Sequence, residues 1–282
     1  MKKILVLGGN GMAGNMIKTY FLEKGYEVFS TQTKDTNETN CYKYNIMENM
    51  KSLEKIVEEI RPDLVINAVG ILNQAAEDNK VLAVTVNSLF PHYVDSISKE
   101  YGFKFIHMST DCVYSGSKGQ YNESDLPDAT SFYGRSKALG EINNDSNLTI
   151  RTSIIGPDVN ENGIGLFNWF MKQTGEINGY ANVIWSGVTT LELAKAMLAA
   201  YEQDLKGLYI LVNNDVINKY DLALLFKKYM EKDIKINKYL EKIENKSMHS
   251  TRNDFDYKVP SYDKMICEMS TFIKEHKSKY KY

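Results

Sequence analysis

The sequence predicts a doubly wound parallel α/β sheet with a smaller cap built from the C-terminal part of the chain. Two observations predict it. Short apolar runs alternate with longer segments of helical spacing through residues 1–155, the pattern of strand–helix–strand units. A glycine cluster, Gly8-Gly9-Asn10-Gly11-Met12-Ala13-Gly14, also falls between the first apolar run and the first helical segment, where such a sheet carries a phosphate-binding turn.

The elements follow in order. Ile4 to Leu7 reads as the first strand. Met12 to Lys24 reads as a helix stopped by Gly25. Glu27 to Thr31 is the second strand, and a short apolar segment follows near Cys41 to Ile46. Leu53, Ile56, Val57 and Ile60 give Lys51 to Ile60 helical spacing, ended by Arg61-Pro62. The largely apolar run Leu64 to Val69 reads as a strand buried on both faces. One long helix is expected over Glu77 to Tyr101, disturbed at Pro91. Strands follow at Phe103 to Met108 and Leu148 to Ile154.

After Gly156-Pro157 the loops lengthen, and Asn160, Asn162, Gly163 and Gly165 cluster. Helices are expected at Leu166 to Gln173, Leu191 to Gln203, Tyr220 to Met230 and Ser261 to Lys277, with a strand at Gly207 to Val212. Residues 156–282 therefore read as mainly a substrate-binding cap, some elements returning to the main sheet. The basic tail from Lys274 reads as a fraying helix end.

Composition excludes several classes. The 282 residues are 43% hydrophobic and carry 34 basic against 36 acidic groups, a net charge of -2. No global cationic field exists to hold nucleic acid or an anionic membrane. Cys41, Cys112 and Cys267 are too scattered for a disulfide scaffold. His92, His107, His249 and His276 show no metal-ligand spacing, so no metal is expected. His107, inside a strand, reads as a satisfied core or edge histidine. The four-residue apolar run after Met1-Lys2-Lys3 is too short for a signal peptide, and no stretch has the length of a membrane span. A cytoplasmic protein is expected.

The glycine cluster has the layout of a dinucleotide site. Gly8 allows the tight turn, Gly11 lets a pyrophosphate approach the backbone, and Gly14 lets the helix lie close on the sheet. Asn10 and Met12 belong to the same turn, and the free N–H groups of the helix start face the phosphates. Ser30-Thr31-Gln32-Thr33-Lys34 ends the second strand without the acid that would hold an NAD ribose. Thr31 and Lys34 better suit a 2′-phosphate, which favours NADP, with NAD the alternative.

Tyr133 and Lys137 stand four apart, on one face of a helix. An ammonium beside a phenol lowers its pKa and fits it for acid–base work. Thr110 ends a strand whose C-terminus lines the ligand crevice of such a sheet.

These residues resemble a family. Gly8-x-x-Gly11-x-x-Gly14, Thr110 and Tyr133-x-x-x-Lys137 look like the extended short-chain dehydrogenase/reductase superfamily. Arg61 to Ala68, Ser109-Thr110-Asp111, Tyr133 to Lys137 and Ile150 to Ser153 bring the chain nearest the dTDP-4-dehydrorhamnose reductases and related nucleotide-sugar reductases. The resemblance covers about the first 155 residues and is thin beyond. It implies hydride transfer from a nicotinamide to the 4-keto carbon of a nucleotide-linked sugar. Tyr133 would protonate the alkoxide, Lys137 would tune Tyr133 and hold the ribose, and Thr110 would bind the carbonyl oxygen. Asn67, Ala68 and Val69 would lie along the cofactor. Asn45, with Ile46, stands where relatives have an adenine-contacting aspartate.

Asp111 and Cys112 would meet substrate. The 4,6-dehydratases of this group carry Asp-Glu after the threonine, so Cys112 argues against elimination. Relatives of the GDP-fucose synthase type, which epimerise and then reduce, have a cysteine at this position. They also use a histidine after the Tyr/Lys helix, and this chain has none between His107 and His249. Cys112 is thus either an acid/base or a small apolar filler. Asn168, Trp169, Trp185 and Arg252 fall in the cap. Asn168 would contact substrate, Trp185 would stack on it or fill the core, and Arg252 would hold a diphosphate or lie on the surface. The partner implied is a nucleotide sugar, with a homodimer as the candidate assembly. A bifunctional epimerase/reductase and a non-catalytic regulatory subunit on the same fold are the alternatives.

Overall fold

The computed structural model describes residues 1–282. The first half holds strands β1 (Lys3–Leu7), β2 (Glu27–Gln32), β3 (Cys41–Lys43), β4 (Leu64–Asn67), β5 (Lys104–Met108) and β6 (Leu148–Arg151). Helices α1 (Met12–Glu23), α2 (Ile46–Asn49), α3 (Ser52–Ile60), α4 (Asn73–Asp78), α5 (Lys80–Ala83), α6 (Phe90–Tyr101) and α7 (Phe132–Leu139) lie between them. The second half adds β7 (Ile154–Ile155), α8 (Leu166–Lys172), β8 (Gly175–Tyr180), β9 (Val183–Trp185), β10 (Val188–Thr189) and α9 (Thr190–Glu202). It ends with β11 (Gly207–Ile210), β12 (Ile217–Asn218), α10 (Lys219–Tyr229), β13 (Ile234–Tyr239), β14 (Glu244–Asn245) and α11 (Tyr262–Glu275).

Seven strands form one parallel sheet in the order β3-β2-β1-β4-β5-β6-β11. Alternate residues of the strands feed two cores. Ile4, Val6, Ile66 and Ile106 pack towards α1, α9 and α11, while Leu5, Leu7, Val65 and Phe105 pack towards α3 and α6. The chain leaves β1 in one direction, to β2 and β3, then returns to lay β4 on the other side of β1. This reversal separates the connections at the carboxyl ends of β1 and β4, and a crevice opens there.

The second half divides its elements. β11 extends the main sheet and α9 packs on α1. The remainder carries small sheets, β12-β9-β14, β13-β8 and β10-β7, around α8 and α10. The Asn- and Gly-rich loop before α8 leans back over the crevice. No helix is long and apolar enough to cross a membrane.

Three expectations need correction. The single helix over 77–101 is broken: Asn79 caps α5 by accepting from Leu82 N at 3.0 Å, and a wide π-type turn, Val84–Leu89, precedes α6. Pro91 has no N–H to donate, and its ring disfavours the close carbonyl of a regular turn. The carbonyl so freed, at Asn87, is where Gly140 packs, because a Cβ there would run into it. The strand expected over 148–154 stops at Arg151, and the chain steps through Thr152 and Ser153 to pair β7 with β10. Thr152 fixes the step by donating from Oγ1 to Leu211 O at 2.8 Å.

The basic tail is not frayed. Tyr280 is 2% exposed and donates to Asn15 Oδ1 at 3.1 Å, and Tyr282 donates to Asn168 Oδ1 at 2.8 Å. Tyr282 also sits edge-on to Phe167, with ring centroids 5.4 Å apart. Lys274 and Lys281 pair with Glu231 and Glu161 on the surface, while the aromatic residues of the tail anchor it.

Under the crevice floor lies a buried ion pair. Arg151 donates from Nε and Nη2 to the two Glu141 oxygens, each at 2.6 Å, and Ser109 Oγ donates to Glu141 Oε1 at 2.6 Å. The side chains are 3% and 8% exposed. Removing one partner strands a buried charge, which costs about 3–5 kcal/mol. Glu141→Gln is therefore expected to lower the urea midpoint by that equivalent. Glu141→Gln combined with Arg151→Met is expected to recover most of the loss.

Candidate active site

The glycine turn is built as the sequence requires. Gly8 has φ +81°, and a Cβ on Gly14 would run into the Gly8 carbonyl, so only glycine lets α1 start this close to β1. A Cβ on Gly8 would lie 2.9 Å from Val69 Cγ2, which measures how closely the ends of β1 and β4 approach. Gly11 opens α1 with no side-chain cap and no acid in the first turn, so the leading N–H groups remain available to an anion. This cradle fits a dinucleotide pyrophosphate.

Thr31 is placed differently from the expectation. It is buried under the turn, where its Oγ1 accepts from Gly8 N at 3.2 Å and its carbonyl from Gly9 N at 3.0 Å. It shapes the turn rather than facing a ribose. Beyond it Gln32 pairs with Asn10, and Lys34 is exposed. Asn45 is likewise committed. It caps α2 by accepting from Met47 N at 3.0 Å and donates to Glu48 Oε1 at 2.8 Å. Ile46 is buried behind it.

A cavity of about 530 Å³ runs from the glycine turn to the ends of β4 and β5. Ala68, Val69, Thr110, Asp111, Cys112, Tyr133 and Lys137 all line it, and the 158–165 loop forms the opposite wall. That loop reaches the turn itself: a Cβ on Gly165 would lie 3.1 Å from Met12 Sδ.

Local chemistry brings the reacting groups together. Ser131 caps α7 by accepting from Gly134 N at 3.1 Å. Gly134 lies against the turn after β5, where a Cβ would collide with the Cys112 carbonyl. Thr110 caps that turn, accepting from Cys112 N at 3.1 Å and donating to Asp111 Oδ1 at 3.1 Å. Asn87 Nδ2 donates to Ser136 Oγ at 3.0 Å, and Ser88 Oγ to Ser136 O at 2.7 Å, so the wide turn before α6 holds α7 from behind.

The electrostatics differ from the simple Tyr/Lys expectation. Burial raises the Tyr133 phenol above its ordinary value, Cys112 adds to this, and the Thr110 hydroxyl opposes it. Lys137 directs its ammonium to β5, donating to Met108 O at 2.6 Å and lying 3.4 Å from His107 Nε2. Burial lowers Lys137 to about 8. Burial also raises Asp111, against the pull of Lys246 and Lys219, and raises the Cys112 thiol to about 12.

Of the cap residues, Asn168 does not face the crevice, while Trp185 and Arg252 take the non-binding member of their two readings. Asn168 is buried, donating to Gly163 O at 2.7 Å and accepting from Tyr282, so it holds the 158–165 loop from below. Trp185 is a core residue beside Tyr262, ring centroids 5.7 Å apart. Arg252 pairs with Asp254 and donates to Lys206 O at 2.7 Å and Leu208 O at 2.8 Å. That is the amino end of β11, opposite the crevice, so its guanidinium cannot reach a diphosphate there.

The sequence reading missed Lys219 and Lys246, which stand alone in polar stretches with no spacing to mark them. The exposed Trp169 lines a second cavity of about 250 Å³ with Tyr180 and Lys219.

A doubly wound sheet with a glycine turn at its reversal and a Thr/Tyr/Lys set across the crevice defines a short-chain dehydrogenase type of oxidoreductase. The chain belongs to the family described as RmlD substrate binding domain, whose model matches residues 1–272. That family is nucleotide-sugar reductase-like. The chain is 26% identical over 229 residues to the spore coat polysaccharide biosynthesis protein SpsK of Bacillus subtilis, covering 79% of this chain and 77% of that one. It also resembles the crystal structure of dTDP-4-dehydrorhamnose reductase from Bacillus anthracis in complex with NADP, with a TM-score of 0.81 at 22% identity, over 97% of this chain and 99% of that one. Similar too is the dTDP-glucose 4,6-dehydratase of the same organism in complex with NAD, with a TM-score of 0.77 at 16% identity, over 100% and 99% of the two chains.

The Lys137 shift has a consequence for stability. Below pH 8 the side chain is charged in both folded and unfolded chains, and the full cost of burying the charge is present. Between pH 8 and 10.5 only the unfolded chain keeps the proton, so the cost fades as pH rises. That cost is about 3 kcal/mol, and a vacated Met108 carbonyl would return about 1 of it. Lys137→Met is expected to be more stable than wild type by about 2 kcal/mol at pH 7, by urea denaturation, with the advantage lost by about pH 10 and reversed above it, where only the missing hydrogen bond remains.

Proposed function

We propose that this chain is an NADPH-dependent reductase of a nucleotide-linked 4-keto-6-deoxy sugar, its product supplying a surface polysaccharide. The observation that carries the reading is the meeting of Thr110, Tyr133 and Lys137 in one cavity directly across from the glycine turn.

The turn and the start of α1 would hold the dinucleotide, with Ala68 and Val69 along its length. Bound there, the cofactor supplies the hydride. The protein's part is to manage the oxygen. The Thr110 hydroxyl, whose one proton goes to Asp111 in the resting site, would turn it to the substrate carbonyl and stabilise the charge that grows there. Tyr133, its pKa raised by burial, keeps its proton at neutral pH and is an acid ready to donate. An alkoxide is a stronger base than a phenolate, so the transfer runs downhill. Lys137 would anchor the ribose and stabilise the phenolate left behind. Lys34 would meet a 2′-phosphate at the exposed end of β2. With Thr31 turned away, this cofactor choice rests on Lys34 and on the missing acid, and NADH is the second candidate.

The cavity beside Trp169 suits the nucleotide end of the substrate. An exposed indole offers a stacking surface for a base, and Lys219 offers charge for a diphosphate. Lys219 also acts on Asp111, which relates this cavity to the crevice. The epimerase alternative loses support, because a thiol raised to about 12 remains protonated and is a poor base at neutral pH. The regulatory-subunit alternative is disfavoured by the complete Thr/Tyr/Lys set.

Two outcomes test the reading. Tyr133→Phe is expected to bind NADPH as wild type does while kcat for a 4-keto sugar falls by about 10²–10⁴; unchanged turnover would remove Tyr133 as the acid. With NADPH present, one of UDP, dTDP, GDP and CDP is expected to raise Tm, and Trp169→Ala to abolish the shift.

A further inference from the structure

His107 is fully buried on β5 beside Lys137, and the mechanism above gives it no part. Its protonation follows from its neighbours. The Val69 N–H can only donate, so the Asn67 atom 3.0 Å from it is the amide oxygen. The other end of that amide, an NH2 group that can only donate, therefore faces His107 Nδ1 at 3.2 Å. Nδ1 must accept and carries no proton. Burial and the nearby Lys137 hold the ring well below its usual pKa, so it is neutral, with its proton on Nε2. That Nε2–H lies 3.4 Å from Lys137 Nζ, which already donates to Met108 O at 2.6 Å. An N–H aimed at an ammonium is repelled. The same N–H aimed at a neutral amine meets a lone pair and forms a hydrogen bond.

We propose that His107 is a positioning residue that stabilises the neutral amine of Lys137 and so sets the pH at which the site loses its ammonium. The proposal rests on the reductase reading. While Lys137 is charged it favours the phenolate that Tyr133 becomes on giving its proton to the alkoxide, and a solvent proton later restores the phenol. When the ammonium loses its proton to solvent, the freed lone pair accepts the His107 Nε2–H, and that support is withdrawn.

The charges around the pair are few. Glu141, just beyond α7, favours the ammonium, but Arg151 already holds it. Tyr133 shares α7 with Lys137. His92, on α6, acts on His107 in the same direction as Lys137 does. From the turn after β5, Asp111 and Cys112 act on Tyr133, and Lys246 and Lys219 act on Asp111. Among these neighbours His107 alone presents an N–H to Lys137 Nζ.

Two measurements test the proposal. In wild-type protein labelled with ¹⁵N-histidine and free of substrate, long-range ¹H–¹⁵N spectra are expected to show His107 as the Nε2–H tautomer, without titration between pH 5 and 8. An Nδ1–H tautomer, or titration in that range, overturns the proposal, and this readout depends on neither activity nor a variant. The second is the pH profile of kcat, expected to fall as pH rises through about 8. In His107→Leu the amine loses its partner, and this limb is expected to move up by about one pH unit. His107→Gln, which can accept from Asn67 and donate to Lys137, is expected to restore the wild-type limb. A folded, NADPH-binding His107→Leu with an unmoved limb overturns the proposal. A wild-type enzyme that reduces no keto sugar would instead defeat the reductase reading and leave the histidine result standing.

Discussion

The site depends on one close approach: α7 lies directly on the backbone of the turn that follows β5. A side chain at Gly134 would strike the Cys112 carbonyl, and one at Gly140 the Asn87 carbonyl. With both positions bare, the helix sinks between two backbones. Tyr133 and Lys137, on its inward face, arrive beside Thr110. The glycine turn on the facing side is set by the same kind of contact, with Gly14 against the Gly8 carbonyl. The crevice is therefore defined by backbone meeting backbone, and its shape resists change in the side chains around it.

Much of the fold was legible because buried parallel strands write themselves as apolar runs, and Leu64 to Val69, most of which forms β4, is an example. The glycine spacing, the Tyr/Lys spacing and Thr110 at a strand end were legible for the same local reason. What failed was long-range. Asp254 is a local partner of Arg252, but nothing near them foretells that the guanidinium also meets two carbonyls at the amino end of β11. Asn168 sits in the cap but holds a loop through distant partners, and only the packing decides that Trp185 fills the core rather than stacks on a ligand. The small strands of the cap are two to six residues long and too mixed in polarity to register. The tail misled through its charge, since its lysines conceal two anchored tyrosines.

The electrostatics of the crevice run against intuition. A Tyr/Lys pair suggests a phenol kept acidic by an ammonium beside it. Here burial dominates both groups, raising the phenol and lowering the amine, and the lysine turns to β5. Both shifts follow from the low polarity of a deep site, which disfavours any charge that lacks a partner. The arrangement suits an acid that must hold its proton until an alkoxide appears. It also leaves a charge at Lys137 that the fold tolerates at a cost.

The anchored tail has a mechanical meaning. Tyr280 grips α1 through Asn15, and Tyr282 reaches Asn168, which braces the wall facing the glycine turn. Tyr280 and Tyr282 thus act as a tie-rod between helix and loop. Displacing either ring, as a bulky label on it would, pulls on the crevice wall from a distance.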